Sequence, residues 1–362
     1  MNYPTIQRRR SRPVQVGNVT LGDDAPIAVQ SMTNTPTSDA GATIAQCEQL
    51  VGAGAQVVRV AVPAPEDTAA LGEIVRAIPV PVVADVHFHF DRALEAIDAG
   101  AAKIRLNPGN IREREQVRRV IRAAADAGVA IRVGVNEGSI IARRGEQRTA
   151  DLARPLDELM AEKMAEYLEV FQEEGFEQLV LSAKSHDAAT TVAVNRRLAQ
   201  RWDYPLHLGV THAGTRETGA IRSAAALGTL LCEGIGDTIR ISFAGDPVHE
   251  VSAGVELLCS LRLRRRRGVE LIACPTCGRL QMDLTRVIDE VREALSEVRT
   301  PLTVAIMGCV VNGPGEAEGA DIALCAGKGK AALYVGGKLL RTVDADDAAR
   351  AVVDEALKLA EE

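Results

Sequence analysis

The 362-residue chain is poor in aromatic residues and has no long apolar run. Phe, Trp and Tyr make up only 3% of it, while Ala, Val and Gly dominate, which favours a tightly packed α/β structure over an all-β sandwich. No apolar stretch is long enough to span a membrane. The N-terminus, with Arg8, Arg9, Arg10 and Arg12, lacks the apolar segment of a signal peptide. We therefore expect a cytoplasmic protein with no membrane partner.

An excess of positive charge is also missing. The formal net charge is −7, so no global field attracts the chain to nucleic acid. The basic run at 263–268, Leu-Arg-Arg-Arg-Arg-Gly, contains no aromatic residue that could stack on bases. We interpret it as a solvated linker and predict no nucleic-acid partner.

Short β-like runs alternate with helical runs through the first 263 residues. Helices that end at a glycine before the next strand, as at Gly100 and Gly128, are typical of this alternation. The predicted strands are 27–33, 57–62, 82–88, 103–108, 130–136, 178–184, 206–212 and 238–243. The predicted helices are 43–53, 66–77, 91–99, 111–127, 155–174, 187–200, 216–232 and 247–263. Eight such units favour a (β/α)₈ TIM barrel over a doubly wound open sheet.

A second, smaller domain is predicted after the basic run. Its pattern reads strand 269–273, helix 283–298, strands 303–307 and 321–325, a hairpin through Gly336 and Gly337, and a helix from Asp346 to the end. We therefore expect an α/β chain of two domains: a TIM-barrel substrate-binding domain at 1–263 and a small α+β domain at 264–362.

Polar side chains recur with period two along the barrel strands, so they share one face of each strand. In a TIM barrel the inward residues at the C-terminal strand ends form the active site. Six cations would converge there, and a concentration of cations in an acidic protein indicates an anionic, most plausibly phosphorylated, ligand. The cations are Arg59, Lys103, Arg105, Arg132, Lys184 and Arg240. The accompanying polar residues are Gln30, Asp85, His87, Asn107, Asn136, Thr211 and Ser242.

The cysteines of the second domain have the spacing of a metal site. Cys274 and Cys277 form a CxxC, and Cys309 precedes Asn-Gly-Pro-Gly-Glu316. A structural zinc site needs four Cys or His ligands, but no His follows His249, and Cys325 lies in an apolar strand. Three thiolates with a weaker fourth ligand are typical of a 4Fe–4S cluster with one distinctive iron. Cys47, Cys232 and Cys259 are predicted to be small buried hydrophobes.

These motifs together resemble the 4-hydroxy-3-methylbut-2-enyl diphosphate synthases of the methylerythritol phosphate route to isoprenoids, in their bacterial two-domain form. The matching stretches run in family order over almost the whole chain, and the last two are highly specific. They are VQSMTNT (29–35), ADVHF (84–88), KIRLNPGNI (103–111), IRVGVNEGS (131–139), LSAKSHD (181–187), LHLGVTHAG (206–214), EGIGDTIRIS (233–242), CPTCGR (274–279) and GCVVNGPGE (308–316).

The resemblance implies an iron–sulfur oxidoreductase that reductively opens 2-C-methyl-D-erythritol 2,4-cyclodiphosphate with two electrons and loss of water. It implies a homodimer, in which one subunit's cluster domain covers the other's barrel, and flavodoxin or ferredoxin as electron donor. The implied cluster ligands are Cys274, Cys277, Cys309 and Glu316, with Glu316 leaving its iron when substrate binds. The implied diphosphate contacts are Arg59, Arg105, Arg132, Lys184, Ser242, Asn136 and Asn312.

One motif departs from the family pattern. The family has Thr-Glu-Ala-Gly after the seventh strand, where the Glu handles protons, whereas this chain has His212 at that position. Histidine can donate a proton near neutral pH. Three interpretations follow: His212 takes the role, Glu217 replaces it, or the chain is a paralogue with altered turnover. We favour retained activity with His212 or Glu217 as the proton donor.

Two other functions fit parts of the pattern. A zinc-stabilised barrel could bind a phosphorylated ligand without redox chemistry, in which case iron and sulfide would be absent. A phosphate-binding aldolase or isomerase would use Lys184 as a Schiff base, although such an enzyme has no use for an electron source.

Overall fold

The structure is a computed structural model that describes residues 4–86, 89–107, 113–140, 154–309, 313–316 and 318–361, with the backbone alone at 139, 314 and 316. The chain divides into two compact units, Met1–Arg264 and Arg265–Glu362. None of the helices in these ranges is both long enough and apolar enough to cross a membrane.

The first unit is a parallel barrel preceded by a hairpin. Its strands are β1 (Val14–Val16), β2 (Val19–Leu21), β3 (Ala28–Met32), β4 (Val57–Ala61), β5 (Val82–Asp85), β6 (Lys103–Leu106), β7 (Ala130–Asn136), β8 (Leu179–Lys184), β9 (His207–Leu208) and β10 (Thr238–Ile239). The parallel order is β8-β7-β6-β5-β4-β3-β10-β9. A parallel bridge from Leu181 to Leu206 brings the two ends together. The barrel prediction is therefore confirmed, and the open sheet is excluded.

A helix follows each barrel strand and covers its outer face. The helices are α1 (Ala40–Gly52), α2 (Pro65–Ala77), α3 (Phe90–Asp98), α4 (Arg114–Ala127), α5 (Leu156–Glu173), α6 (Ala188–Arg201), α7 (Arg216–Cys232) and α8 (Pro247–Ser260). Aspartate side chains at Asp39, Asp187 and Asp246 accept backbone N–H groups at the starts of α1, α6 and α8. Gly128 ends α4 in the left-handed region with φ 66°.

The hairpin β1–β2 closes the lower end of the barrel, and the sequence analysis did not predict it because its strands have only three residues each. Val14, Val16 and Leu21 are fully buried in one apolar cluster with the first inward side chains of the strands. Those side chains are Ala28, Val57, Val83, Ala130 and Val180. The floor of the barrel interior is thus mostly apolar, and the arginines Arg59, Arg105 and Arg132 lie above it, nearer the C-terminal strand ends.

Two predicted barrel strands are shorter than expected. The stretches 206–212 and 238–243 keep only two ladder residues each, in β9 and β10. Beyond them the chain is held by other bonds: Thr211 N–H donates to the Ser185 carbonyl, and Ser242 Oγ donates to the Val210 carbonyl at 3.0 Å. The strand ends are therefore opened into loops that carry polar side chains.

The second unit is a five-stranded mixed sheet with helices. Its elements are β11 (Val269–Ala273), α9 (Leu284–Ala294), β12 (Leu302–Met307), α10 (Gly313–Glu316), β13 (Ile322–Ala326), β14 (Lys330–Val335), β15 (Lys338–Asp344) and α11 (Ala348–Glu361). The sheet order is β11-β12-β13-β14-β15, with β11, β12 and β13 parallel. Since Ala273 pairs with Ile306, and Met307 with Cys325, the carboxyl ends of these three strands lie at one edge.

Candidate active site and cluster centre

The predicted cations converge inside the upper half of the barrel, which we call the barrel mouth. Four of the cations are buried, with side chains that point into the barrel interior: Arg59, Lys103, Arg105 and Arg132. The other two, Lys184 and Arg240, are half-buried. Their positions follow from the two-residue period of parallel strands whose lower inward residues form the apolar floor.

Asp85 organises two of the arginines. Its Oδ1 accepts from Arg105 Nη1 at 3.3 Å, and its Oδ2 lies 3.6 Å from Arg59 Nε. Asp85 is 4% exposed, so its charge is poorly screened by solvent. This carboxylate fixes the two guanidinium groups in place without neutralising both of them.

Two residues that the sequence analysis did not single out also hold the arginines. The Met32 sulfur lies 2.9 Å from Arg59 Nη2 and 3.7 Å from Arg240 Nη1. Glu250 on α8 accepts from Arg240 Nη2 at 3.2 Å and from the Phe243 backbone N–H at 3.0 Å. The period-two pattern of β3 could have predicted that Met32 points inward. Nothing in the helical pattern of α8 distinguished Glu250.

The barrel mouth carries more positive than negative charge. Within the described ranges, its six cations form salt bridges with only two carboxylates, Asp85 and Glu250. Burial lowers the pKa of Arg59 to about 10, with Arg240 and Arg105 adding to the effect against Asp85. Burial, followed by neighbouring cations, also lowers the pKa of Arg132 well below its ordinary value. An anionic ligand would supply the missing counter-charge.

Lys184 is positioned by a histidine and a glycine. Its Nζ lies 3.3 Å from Nε2 of His207, which is fully buried. Burial and then the Lys184 charge hold the pKa of His207 well below 6.5, so the ring is neutral and can accept from the lysine. A Cβ at Gly209 would come within 2.6 Å of Lys184 Nζ. Glycine at 209 therefore leaves space for the lysine head group.

The remaining predicted binding residues surround the cations at different depths. Gln30 is 1% exposed and lies within the barrel, whereas Asn136, Thr211 and Ser242 are half-buried. Asn107 is buried at the end of β6. His87 and Asn312 lie outside the described residues.

The two candidate proton donors lie on one exposed loop-to-helix segment. His212 is exposed and has φ 51°, a backbone region that non-glycine residues seldom occupy. The loop is held by Arg222, which donates to the Ala213 carbonyl at 3.2 Å. Glu217 is exposed in the first turn of α7. The structure thus places His212 in the loop after β9 and Glu217 at the start of α7, both outside the buried cation cluster.

The cysteines predicted as ligands follow adjacent strands of the second unit. Cys274 comes directly after β11, and Cys309 lies two residues after β12, so both occupy the same sheet edge. The Gly308 backbone N–H donates to Cys274 Sγ at 3.0 Å. Cys277 is exposed in the loop that follows. An N–H directed at a sulfur stabilises thiolate or cluster sulfur, so this edge suits an iron–sulfur group.

Cys325 is buried in β13 beside this edge. Burial, followed by the nearby Cys309 and Cys274, raises the pKa of its thiol to about 11. A Cβ at Gly313 would come within 2.8 Å of its sulfur. These contacts support the prediction that Cys325 is a packing residue and not a ligand. Cys47 is likewise buried, but Cys259 is half-buried and Cys232 exposed, so the prediction of full burial is wrong for both.

The described residues contain no group of three His, Cys, Asp or Glu side chains close enough to share one metal ion. A single zinc needs such a group. A 4Fe–4S cluster binds each thiolate to a different iron and therefore accepts ligands that are farther apart. Glu316 ends α10, and its side chain lies outside the description. The donor set of Cys274, Cys277 and Cys309, with a backbone N–H directed at Cys274 Sγ, fits an iron–sulfur cluster.

Fold and site together define a TIM-barrel protein with a cationic mouth and a following α+β unit suited to an iron–sulfur cluster. A family model described as the GcpE TIM-barrel domain matches residues 11–255, and one described as the GcpE protein C-terminal domain matches residues 270–358. The chain belongs to the GcpE family, whose enzymes contain a 4Fe–4S cluster.

Curated relatives match along nearly their whole length. The 4-hydroxy-3-methylbut-2-en-1-yl diphosphate synthase (flavodoxin) of Geobacter sulfurreducens is 46% identical over 97% of this chain and 98% of the relative. A protein of the same name, numbered 2, from Streptomyces coelicolor is 45% identical over 98% of this chain and 91% of its own. Dihydropteroate synthase from Stenotrophomonas maltophilia shares the barrel fold alone, with TM-score 0.52, 17% identity, and coverage of 70% and 97%.

Proposed function

We propose that this protein is a 4-hydroxy-3-methylbut-2-enyl diphosphate synthase. It converts 2-C-methyl-D-erythritol 2,4-cyclodiphosphate, two electrons and two protons into the open diphosphate and one water. The observation that carries the proposal is the buried excess of cations in the barrel mouth, on a chain whose second unit brings Cys274 and Cys309 to one sheet edge. Membership of the GcpE family supports the same reaction.

The barrel residues bind and orient the diphosphate. Arg59, Arg105 and Arg132 provide forked donors that match phosphate oxygens, and Asp85 keeps two of them fixed before the ligand arrives. Lys184, held against His207, supplies a further cation from β8, the strand next to that of Arg132. Hydroxyl and amide groups complete the polar lining; they belong to Thr211, Ser242, Asn107 and Asn136. We propose that Gln30, His87 and Asn312 also contact the substrate.

The second unit holds the cluster in this proposal. Cys274, Cys277 and Cys309 would hold the cluster, and Glu316 would be its fourth, exchangeable ligand, released when substrate binds. A bound cluster would supply the two electrons that the reaction needs. Iron bound by thiolates suits a reducing compartment, so we propose a cytoplasmic location.

The loop after β9 supplies a proton. His212 or Glu217 protonates the oxygen that leaves as water, since both side chains are exposed beside the strand ends that form the mouth. We assign no Schiff base to Lys184, because the proposed reaction forms no imine and the lysine contacts His207.

We also propose a partner and an assembly. Flavodoxin is the electron donor, as the printed names of the relatives from Geobacter sulfurreducens and Streptomyces coelicolor indicate for those proteins; ferredoxin is the alternative. The protein is proposed to be a homodimer, which light scattering of the purified full chain would test.

The deciding experiment is an anaerobic assay with the cyclodiphosphate and a chemical reductant. Formation of the open diphosphate supports the function. A colourless protein with one zinc, no acid-labile sulfide and no turnover would instead establish the zinc-stabilised binding protein.

A further inference from the structure

We infer that Lys103 is a further substrate-binding residue whose ammonium group binds the inner end of the diphosphate. The inference rests on the proposed function and extends it below the arginines. Lys103 begins β6, two residues before Arg105 on the same inward face. Its register partners across the neighbouring strands, Val83 and Ala130, belong to the apolar floor. The lysine therefore arises at the boundary between the floor and the cationic mouth.

The Lys103 amine has no hydrogen-bond partner among the residues that the structure describes. Its side chain is 0% exposed, and Nζ has no hydrogen-bond acceptor among the described residues. Gln30 is also inside the barrel and is 1% exposed. Neither its side-chain amide oxygen nor its amide nitrogen has a hydrogen-bond partner among the described residues. Buried polar side chains are almost always bonded, and an unbonded one destabilises the fold. Polar groups retained at such a cost indicate a ligand that bonds them.

The groups facing Lys103 identify the class of that ligand. Arg132 on β7 and Arg59 on β4 are both cationic, and after burial they are the causes that lower the pKa of Lys103 well below 10.5. His207 on β9 also faces it and is neutral. The rest of the mouth contributes Arg105, Lys184, Arg240, Asp85 and Glu250. Two cations and a neutral ring around an unpartnered amine leave an oxyanion as the complementary ligand.

A structural role explains the lysine less well. A buried lysine that stabilises a fold is paired with a carboxylate or extends its amine to solvent, and Lys103 does neither within the described ranges. A methionine would fill the same volume without an unbonded charge. Binding of an anionic ligand therefore explains a lysine at position 103 better than a structural role does.

The test is isothermal titration of the anaerobically purified full chain with inorganic pyrophosphate, in two buffers of different ionisation enthalpy. Lys103→Met should weaken binding about 10- to 100-fold, as expected for a lost charged hydrogen bond. It should also reduce the number of protons taken up on binding, because the ligand restores the charge of the amine. Lys163→Met, which removes a half-buried surface lysine paired with Glu166 on α5, serves as the matched control and should bind pyrophosphate as the parent does.

Pyrophosphate affinity of Lys103→Met within twofold of the parent, with unchanged proton uptake, would overturn the inference. If this variant melts below the parent, Lys103→Gln decides: parental affinity in a parental fold also overturns it. No binding to the parent overturns it as well, and turnover of the cyclodiphosphate by the same preparation then shows separately whether the proposed function stands.

Discussion

The barrel mouth and the cysteine edge of the second unit present reactive groups in opposite ways. The mouth places its cations on strands, buried and held by Asp85, Glu250 and Met32. The cysteine edge places its thiols on loops, where Cys277 is exposed and Cys274 half-buried. The mouth is thus fixed by the fold before any ligand arrives, whereas the thiols depend on the cluster itself to fix their final positions.

The largest expected effect is a loss of cluster and turnover that leaves anion binding by the barrel mouth intact. Cys274→Ala should lose iron and acid-labile sulfide and reduce turnover to background, because a cluster ligand is missing. Pyrophosphate binding, measured by titration calorimetry, should stay within twofold of the parent, since the cations belong to the other unit. Cys232→Ala, an exposed thiol on α7, should retain both properties. A fall in pyrophosphate affinity together with iron would show that the mouth depends on the cluster.

The next effect is a loss of turnover without a loss of pyrophosphate affinity, in variants of the candidate proton donors. Of His212→Ala and Glu217→Ala, the one that removes the proton donor should lower turnover about 10²- to 10⁴-fold while leaving pyrophosphate affinity unchanged. Anaerobic product assays and calorimetry measure the two quantities. His249→Ala, an exposed histidine on α8, is the control. Unimpaired turnover in both variants would contradict the assignment of the loop after β9.

A smaller effect tests how rigid the mouth is. Gly209→Ala places a methyl group 2.6 Å from Lys184 Nζ and 2.9 Å from the Arg240 carbonyl. We expect about 1–3 kcal/mol of lost stability, the usual cost of overpacking, and a several-fold loss of pyrophosphate affinity as the lysine moves. Chemical denaturation and calorimetry measure these. Gly52→Ala, on α1 with open space around it, should be neutral or slightly stabilising. Parental behaviour of Gly209→Ala would mean that the mouth adjusts freely.

The smallest effect is a pH dependence of stability. The pKa of Lys103 lies well below 10.5 in the folded protein. Between this lowered pKa and the ordinary lysine pKa, the unfolded chain binds more protons than the folded protein, so stability rises with pH. The free energy of unfolding, from urea titrations of ligand-free protein at a series of pH values below 10.5, should therefore rise more steeply for the parent than for Lys103→Met. Parallel pH curves for the two proteins would contradict a lowered pKa at this lysine.

Much of this organisation could be predicted from the sequence because it depends on local patterns. Period-two alternation placed Arg59, Arg105 and Arg132 on the inward faces of their strands, and the structure buries all three there. The β/α alternation likewise predicted the eight-stranded barrel. The hairpin at 14–21 was missed because three-residue strands give too little alternation to detect.

The residues that position the cations were harder to predict. Glu250 lies in a helix ten residues beyond Arg240, and its carboxylate reaches the mouth only because α8 packs beside β3. The contact of His207 with Lys184 likewise joins two different strands. Such contacts depend on register and packing between elements, which a single sequence does not specify.

The sequence by itself determined the fold class, the inward placement of the cations and the cysteine motifs, because each follows from chain periodicity or short-range spacing. Only the tertiary structure decided which charges are neutralised. It paired Asp85 with two arginines and left Lys103 without a partner among the described residues. The physical reason is that burial and Coulomb interactions depend on distances between strands far apart in the chain.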